Sequence, residues 1–247
     1  MDDVGAGPAV VLLHAGITDR TMWSDHLPAI AQAGMRAIAM DLPGYGEAPV
    51  AVGLDAPWED VMRTMDAAGI ESAALVGCSF GGAVAQRIAA LAPSRVSALV
   101  LVSSPASGIE PSKRLLDAWE AEEDALEVGD MDAAVRAVLD AWLLPWCPGE
   151  LRERVAAMQR RALELQANAP PAQEGPDPLS HDLRALSVFG GPALVAVGEH
   201  DMPDFHDAAD RLAAALGAGE KSIVPGAGHL APLEQPRAFR ELLLSFL

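Results

Sequence analysis

Three residues set at turns of this 247-residue chain have types that do chemistry together: Ser79, Asp201 and His229. Ser79 is the centre of Gly77-Cys78-Ser79-Phe80-Gly81, a G-x-S-x-G run with the apolar stretch 73–76 before it and the helix-forming stretch 83–92 after it. Between a strand and a helix, that run reads as a sharp nucleophile elbow that needs small residues two positions either side of the serine. The helix start beside it supplies N–H groups and a positive dipole end for a developing oxyanion. A serine hydroxyl is a weak nucleophile at neutral pH and needs a general base, usually histidine, held by a carboxylate. Asp201 ends Gly198-Glu199-His200-Asp201 after the apolar run 192–197, and His229 ends Gly226-Ala227-Gly228-His229 after 221–224. The order Ser, Asp, His and the placement of all three after strands suit acyl transfer on one rim of a parallel sheet.

Other assignments of these residues carry less. Asp204 and Asp207 compete with Asp201 for the acid role. The cluster of Glu199, His200, Asp201, His206 and Asp207 matches no defined metal spacing, so no metal site is expected. His26, His181, His200 and His206 read as solvated or structural. Cys78 lies off the centre of the elbow and reads as a small buried hydrophobe.

The elements that must position these groups alternate. Short apolar runs at 9–14, 35–40, 73–76 and 96–102 read as buried strands, with helices at 22–32, 57–68 and 83–92 between them. This predicts βαβ units and a mostly parallel, doubly wound sheet. From 105 to about 191 the pattern turns helical (111–127, 130–143, 149–167 and 182–189), punctuated by Pro170-Pro171. It then resumes with strands at 192–197 and 221–224 and helices at 207–216 and from 236. The expected division is a core of 1–105 and 191–247 with a helical lid at 106–190.

Composition bounds the partners. Seventeen basic against thirty-five acidic side chains give a formal charge of −18, which disfavours nucleic acid and anionic membrane surfaces. No stretch has membrane-spanning length or the pattern of a signal peptide, and two cysteines make no disulfide framework, so a cytoplasmic protein is expected.

Together, Leu13-His14-Ala15-Gly16, Asp41-Leu42-Pro43-Gly44-Tyr45-Gly46, the elbow and the two loops carrying Asp201 and His229 resemble the α/β-hydrolase superfamily, especially its small bacterial esterases, enol-lactonases and cofactor-free haloperoxidase-like members. The resemblance implies an α/β-hydrolase fold with a cap inserted after the sixth family strand. It implies an oxyanion hole from the backbone N–H groups of Gly16 and Phe80, with His14 holding the loop; alanine at position 15, where glycine is usual, leaves Ile17 as the alternative to Gly16 for the first donor. It also implies ester or lactone hydrolysis through an acyl-enzyme with no cofactor, on a small-molecule substrate. Carbon–carbon bond hydrolysis, perhydrolysis and slow-turnover receptor-like binding remain alternatives with the same residues. Serine at position 79, where haloalkane dehalogenases and epoxide hydrolases carry aspartate, sets those activities aside. Pocket contacts are expected from Ile17, Trp119, Trp142, Trp146 and Leu230, with Leu143 and Met158 as further cap candidates. The family's two N-terminal antiparallel strands have no evident counterpart. The strand at 35–40 is therefore expected to be a bare edge that invites pairing with a second copy, unless residues 1–8 fold back over it.

Overall fold

The computed structural model describes residues 1–167, 169, 170 and 172–247, and only the backbone of residue 174. Pro171, half of the expected proline punctuation, lies outside the described residues. Seven strands form the main sheet in the order β1 (Asp2–Gly5), β3 (Arg36–Met40), β2 (Ala9–Leu13), β5 (Ala73–Cys78), β6 (Val96–Val102), β8 (Ala193–Gly198) and β9 (Ser222–Val224). All neighbours are parallel except β1 on β3.

Because both faces of the central strands are covered, their sequences are nearly continuous apolar runs whose alternate residues serve two cores. Val10, Leu12, Val76, Val100 and Val102 face a layer with α1 (Leu27–Gln32) and α9 (Pro236–Phe246), through Ile30 and Phe239. Val11, Leu13, Leu75, Leu99 and Leu101 face α2 (Pro57–Ala67), α3 (Phe80–Leu91) and α7 (Pro203–Leu216), through Met65, Ile88 and Leu212. Between β6 and β8 run α4 (Lys113–Glu127), α5 (Met131–Trp142) and α6 (Gly149–Gln166). Two-residue strands β4 (Leu54–Asp55) and β7 (Gln173–Glu174) pair in parallel apart from the main sheet, and α8 (Ala231–Glu234) precedes α9.

Four expectations need correction. The strand at 35–40 is not a bare edge: Asp2 to Gly5 pair antiparallel with Ala39 to Arg36, and Arg36 forms an ion pair with Asp3 at 2.6 Å. One antiparallel strand therefore does precede β2, and the ground for edge-to-edge pairing through β3 is gone. The helix expected at 22–32 is a 3₁₀ turn, Arg20–Trp23, followed by α1, with Pro28 in the first turn of the latter where its missing N–H costs nothing. The helix expected at 207–216 begins four residues sooner, with Pro203 in its first turn. The last segment of the helical block is a 3₁₀ turn, Arg184–Val188. No helix among the described residues is long and apolar enough to cross a membrane.

Candidate active site

The elbow is built by close backbone approach. A Cβ on Gly77 would overlap the carbonyl of Gly81, and one on Gly81 would overlap the carbonyls of Leu13 and His14, so neither position admits a side chain. Ser79 between them sits at φ 48°, ψ −114°, a conformation costing of order 1–3 kcal/mol that the packed surroundings must hold. Two hydrogen bonds do so: Ser79 N–H donates to Val102 O at 2.8 Å and Gly81 N–H to His14 O at 3.0 Å. The N–H of Phe80, the first residue of α3, has no acceptor within the helix.

The Asp201 and His229 loops are pressed together the same way. A Cβ on Gly198 would overlap the carbonyl of Gly228 and crowd that of Ala227, and His200 N–H donates to Ala227 O at 2.8 Å. Gly198→Ala must push two backbones apart. It is expected to cost about 2–4 kcal/mol in urea unfolding, beyond an ordinary surface change. An unchanged midpoint would show that the loops are not in close contact.

From these loops the side chains meet in a line. Ser79 Oγ lies 2.9 Å from His229 Nε2, and His229 Nδ1 lies 3.0 and 3.2 Å from the two carboxylate oxygens of Asp201. A carboxylate only accepts, so Nδ1 carries the proton and Nε2 is free to take one from the serine. Asp201 is held in turn by the N–H of Met202, which donates at 2.8 Å, and its side chain is fully buried. Trp142 and Phe205 lie against the imidazole with ring centroids 4.5 and 4.3 Å away, leaving the ring little room to turn. Glu234 braces the loop by accepting from Gly228 N–H at 2.8 Å and from Leu144 N–H, at the end of α5, at 3.2 Å. Burial pushes the Glu234 carboxyl up despite those two donors.

Asp204 has a different position. Its carboxylate accepts from the N–H and hydroxyl of Ser112, at 2.6 and 2.7 Å, and so fastens the start of α4 to α7. Burial acts to raise its pKa, but those hydrogen bonds outweigh it and hold the group below the usual carboxylate range. Glu199 accepts from Gly226 N–H at 2.8 Å, His26 is bonded to Pro232 O, and His200 meets the edge of Trp146. Among the described residues no three His, Cys, Asp or Glu side chains are grouped to hold a metal ion.

His14 is fully buried and keyed into the backbone on both sides. Nδ1–H donates to Ala15 O at 2.8 Å and Nε2 accepts from Leu42 N–H at 2.9 Å. Desolvation lowers its pKa, which keeps the neutral tautomer that this pairing requires. Ala15 fits without strain, its carbonyl accepting from Thr18, and Gly16 comes beside Phe80: a Cβ on Gly16 would be 3.4 Å from Phe80 Cβ and 3.5 Å from Tyr45 Oη. The turn is braced below by Asp41, which accepts from the N–H groups of Arg20 and Glu47 and pairs with the Arg20 guanidinium.

A cavity of about 360 Å³ opens on Ser79 and His229. Ile17, Trp119 and Trp142 line it, together with Gly16, Phe80 and Phe205. Two expected pocket residues lie elsewhere. Trp146 is 65% exposed beside His200, and Leu230 is fully buried in the core under α9. Leu143 is also core, and Met158 meets the Thr21 hydroxyl at 3.5 Å. Sequence reasoning missed Phe205 and Glu122. The first was legible from Pro203 as a helix start, which would have put Phe205 one turn after Asp201. Nothing local marks Glu122 among the other acids of α4.

Cys78 is fully buried under the elbow, and burial, with Asp201 and Glu234 nearby, pushes its thiol well up, so it is not a nucleophile in waiting. Cys147, in the connection after α5, is partly exposed.

The family model for the alpha/beta hydrolase fold matches residues 8–236, and the chain belongs to that family. The dihydrolipoyllysine-residue acetyltransferase component of the acetoin cleaving system of Pseudomonas putida is 32% identical over 98% of this chain, and the match spans 64% of that longer protein. Lipase LipV of Mycobacterium tuberculosis is 30% identical over 98% of this chain and 94% of its own length. Among solved structures, a hydrolase from Pseudomonas aeruginosa superimposes with a TM-score of 0.78 at 28% identity, covering 99% of this chain and 92% of that one.

Proposed function

We propose that the chain is a serine hydrolase that cleaves a small ester or lactone through an acyl-enzyme. The unbroken line of hydrogen bonds from Ser79 through His229 to the buried Asp201, starting from a strained elbow, carries this reading. His229 Nε2 takes the proton as Ser79 Oγ attacks the carbonyl carbon. Asp201 stabilises the imidazolium and keeps Nδ1 protonated. The N–H groups of Gly16 and Phe80 receive the oxyanion, a contribution of about 3 kcal/mol per donor in related chemistry. The imidazolium then protonates the departing alcohol, or the ring oxygen of a lactone. Water, activated by the same nitrogen, releases the acid and regenerates Ser79. The helices α4 to α6 act as a cap, with Trp119 and Trp142 shaping the apolar part of the pocket. The esterase and lipase character of the relatives supports the same chemistry.

A fluorophosphonate probe tests the assignment directly. One adduct is expected by intact mass, mapped to the peptide containing Ser79 and accompanied by loss of p-nitrophenyl ester turnover. An adduct on Cys78 or on another serine would overturn the mechanism.

A further inference from the structure

Glu122 is out of character with the cavity around it. It projects from α4 into the space that holds Ser79 and His229, whose other walls are mainly apolar or aromatic: Ile17, Phe80, Trp119, Trp142 and Phe205. An ester or lactone needs no carboxylate for acyl transfer beyond Asp201, and Asp201 is buried behind the histidine. Among the described residues the Glu122 side chain has one hydrogen-bond partner, the Gln159 side-chain amide donating to Oε1 at 3.1 Å. Gln159 on α6 is itself 97% buried by its relative exposure of 3%, and its own carbonyl oxygen has no hydrogen-bond partner. Its amide is turned to Oε1 of the carboxylate, and Glu122 itself lines the cavity. Among the described residues no lysine or arginine pairs with Glu122, although ion pairs are formed elsewhere by many of the chain's acids. A half-buried, unpaired carboxylate is costly unless something neutralises it. Burial accordingly raises its pKa, with only the Gln159 bond opposing.

We propose that Glu122 anchors a protonated amine on the substrate, so that the favoured esters or lactones carry an ammonium group on the part that enters the pocket. An ammonium supplies the missing counter-charge, and indole faces such as those of Trp119 and Trp142 are favourable neighbours for a cation. The chain's charge of −18 draws cations toward the site at long range. Glu122 would set specificity by binding and take no part in proton transfer at the ester. The proposal rests on the serine-hydrolase reading above, and the test separates the two.

The probes are the p-nitrophenyl esters of ω-aminohexanoic acid and of heptanoic acid, which match in length and differ in charge. Wild-type kcat/KM is expected to favour the amino ester by roughly ten- to a hundredfold, the range for one charge-assisted hydrogen bond shielded from water, chiefly through KM. In Glu122→Gln the ratio between the two esters should fall to near one. In Glu122→Lys the preference should invert toward the mono-p-nitrophenyl ester of adipic acid. Being ratios, these readouts do not depend on the fraction of variant that folds. Calorimetry on the Ser79→Ala protein supplies a readout that needs no turnover: hexylammonium should bind more tightly than hexanol, and the difference should vanish when Glu122→Gln is added. Equal or better turnover of the heptanoate ester by wild type, or an amine preference that survives Glu122→Gln, overturns the proposal. Loss of all ester turnover from wild type with Glu122-dependent hexylammonium binding intact overturns the serine-hydrolase reading and leaves the amine site standing.

Discussion

Replacing Ser79 with alanine is expected to lower kcat for p-nitrophenyl esters by roughly 10⁶, leaving only the residual rate that binding and oxyanion donors supply without a nucleophile. The size of the effect follows from the geometry. Ser79 Oγ is the hydroxyl 2.9 Å from His229 Nε2, and the neighbouring Cys78 thiol points into the core, where burial keeps it protonated. Stability should stay nearly unchanged. Alanine at φ 48° keeps the strain of serine, but the elbow is held by backbone bonds from Ser79 and Gly81 that do not use the hydroxyl. Steady-state kinetics with active-site titration on the same preparation checks this. A loss of less than about a hundredfold would mean that another group attacks the ester.

Asp201→Asn is expected to cost about 10⁴ in kcat with little effect on KM. An asparagine that accepts from Met202 N–H turns its amide N–H groups toward His229. The imidazole then has to present Nδ1 as an acceptor and moves its proton to Nε2, the wrong tautomer for a base. Asp204→Asn, only three residues along the chain, should change kcat by less than about threefold. Its effect should appear in stability instead, through the weakened tie to Ser112 at the start of α4. Chemical denaturation of both variants beside their kinetics separates the two roles. A reversed ranking would transfer the orienting role to Asp204 and contradict the 3.0 Å contact between His229 and Asp201.

What the sequence made legible were features in which one residue type is forced by one geometry. Gly77 and Gly81 are needed because a carbonyl occupies the space of any Cβ, and apolar runs such as 73–76 are needed because both sheet faces are covered. The loops after β8 and β9 announced Asp201 and His229 by position alone. Strand β1 was illegible because it lies at the edge, largely exposed, and is held by backbone pairing to which Asp2-Asp3-Val4-Gly5 contributes no apolar pattern. The pocket was half legible. Trp119 and Trp146 are alike as sequence, and only the packing of α4 and of the connection after α5 decides that one faces the cavity and the other His200. Leu230 follows His229 directly, yet the chain turns there into α8 and takes the side chain into the core. Glu122 shows the same limit from the polar side, since its burial comes from Gln159, thirty-seven residues away on another helix.

The contrast between the two cysteines gives the chain a built-in reporter. Cys78 is sealed at the back of the elbow and Cys147 is partly exposed on the connection between α5 and α6. Burial raises both thiols, so alkylation will be slow at neutral pH and faster in mildly alkaline buffer. Under such conditions a maleimide dye should couple at one position while the protein is folded, placing a fluorophore on the helical block and not in the sheet. The second thiol becomes countable only once the central strands separate. Thiol counting against denaturant would therefore report the melting of β5 itself, and quenching of the dye would report the helical block, on a single unmodified sequence.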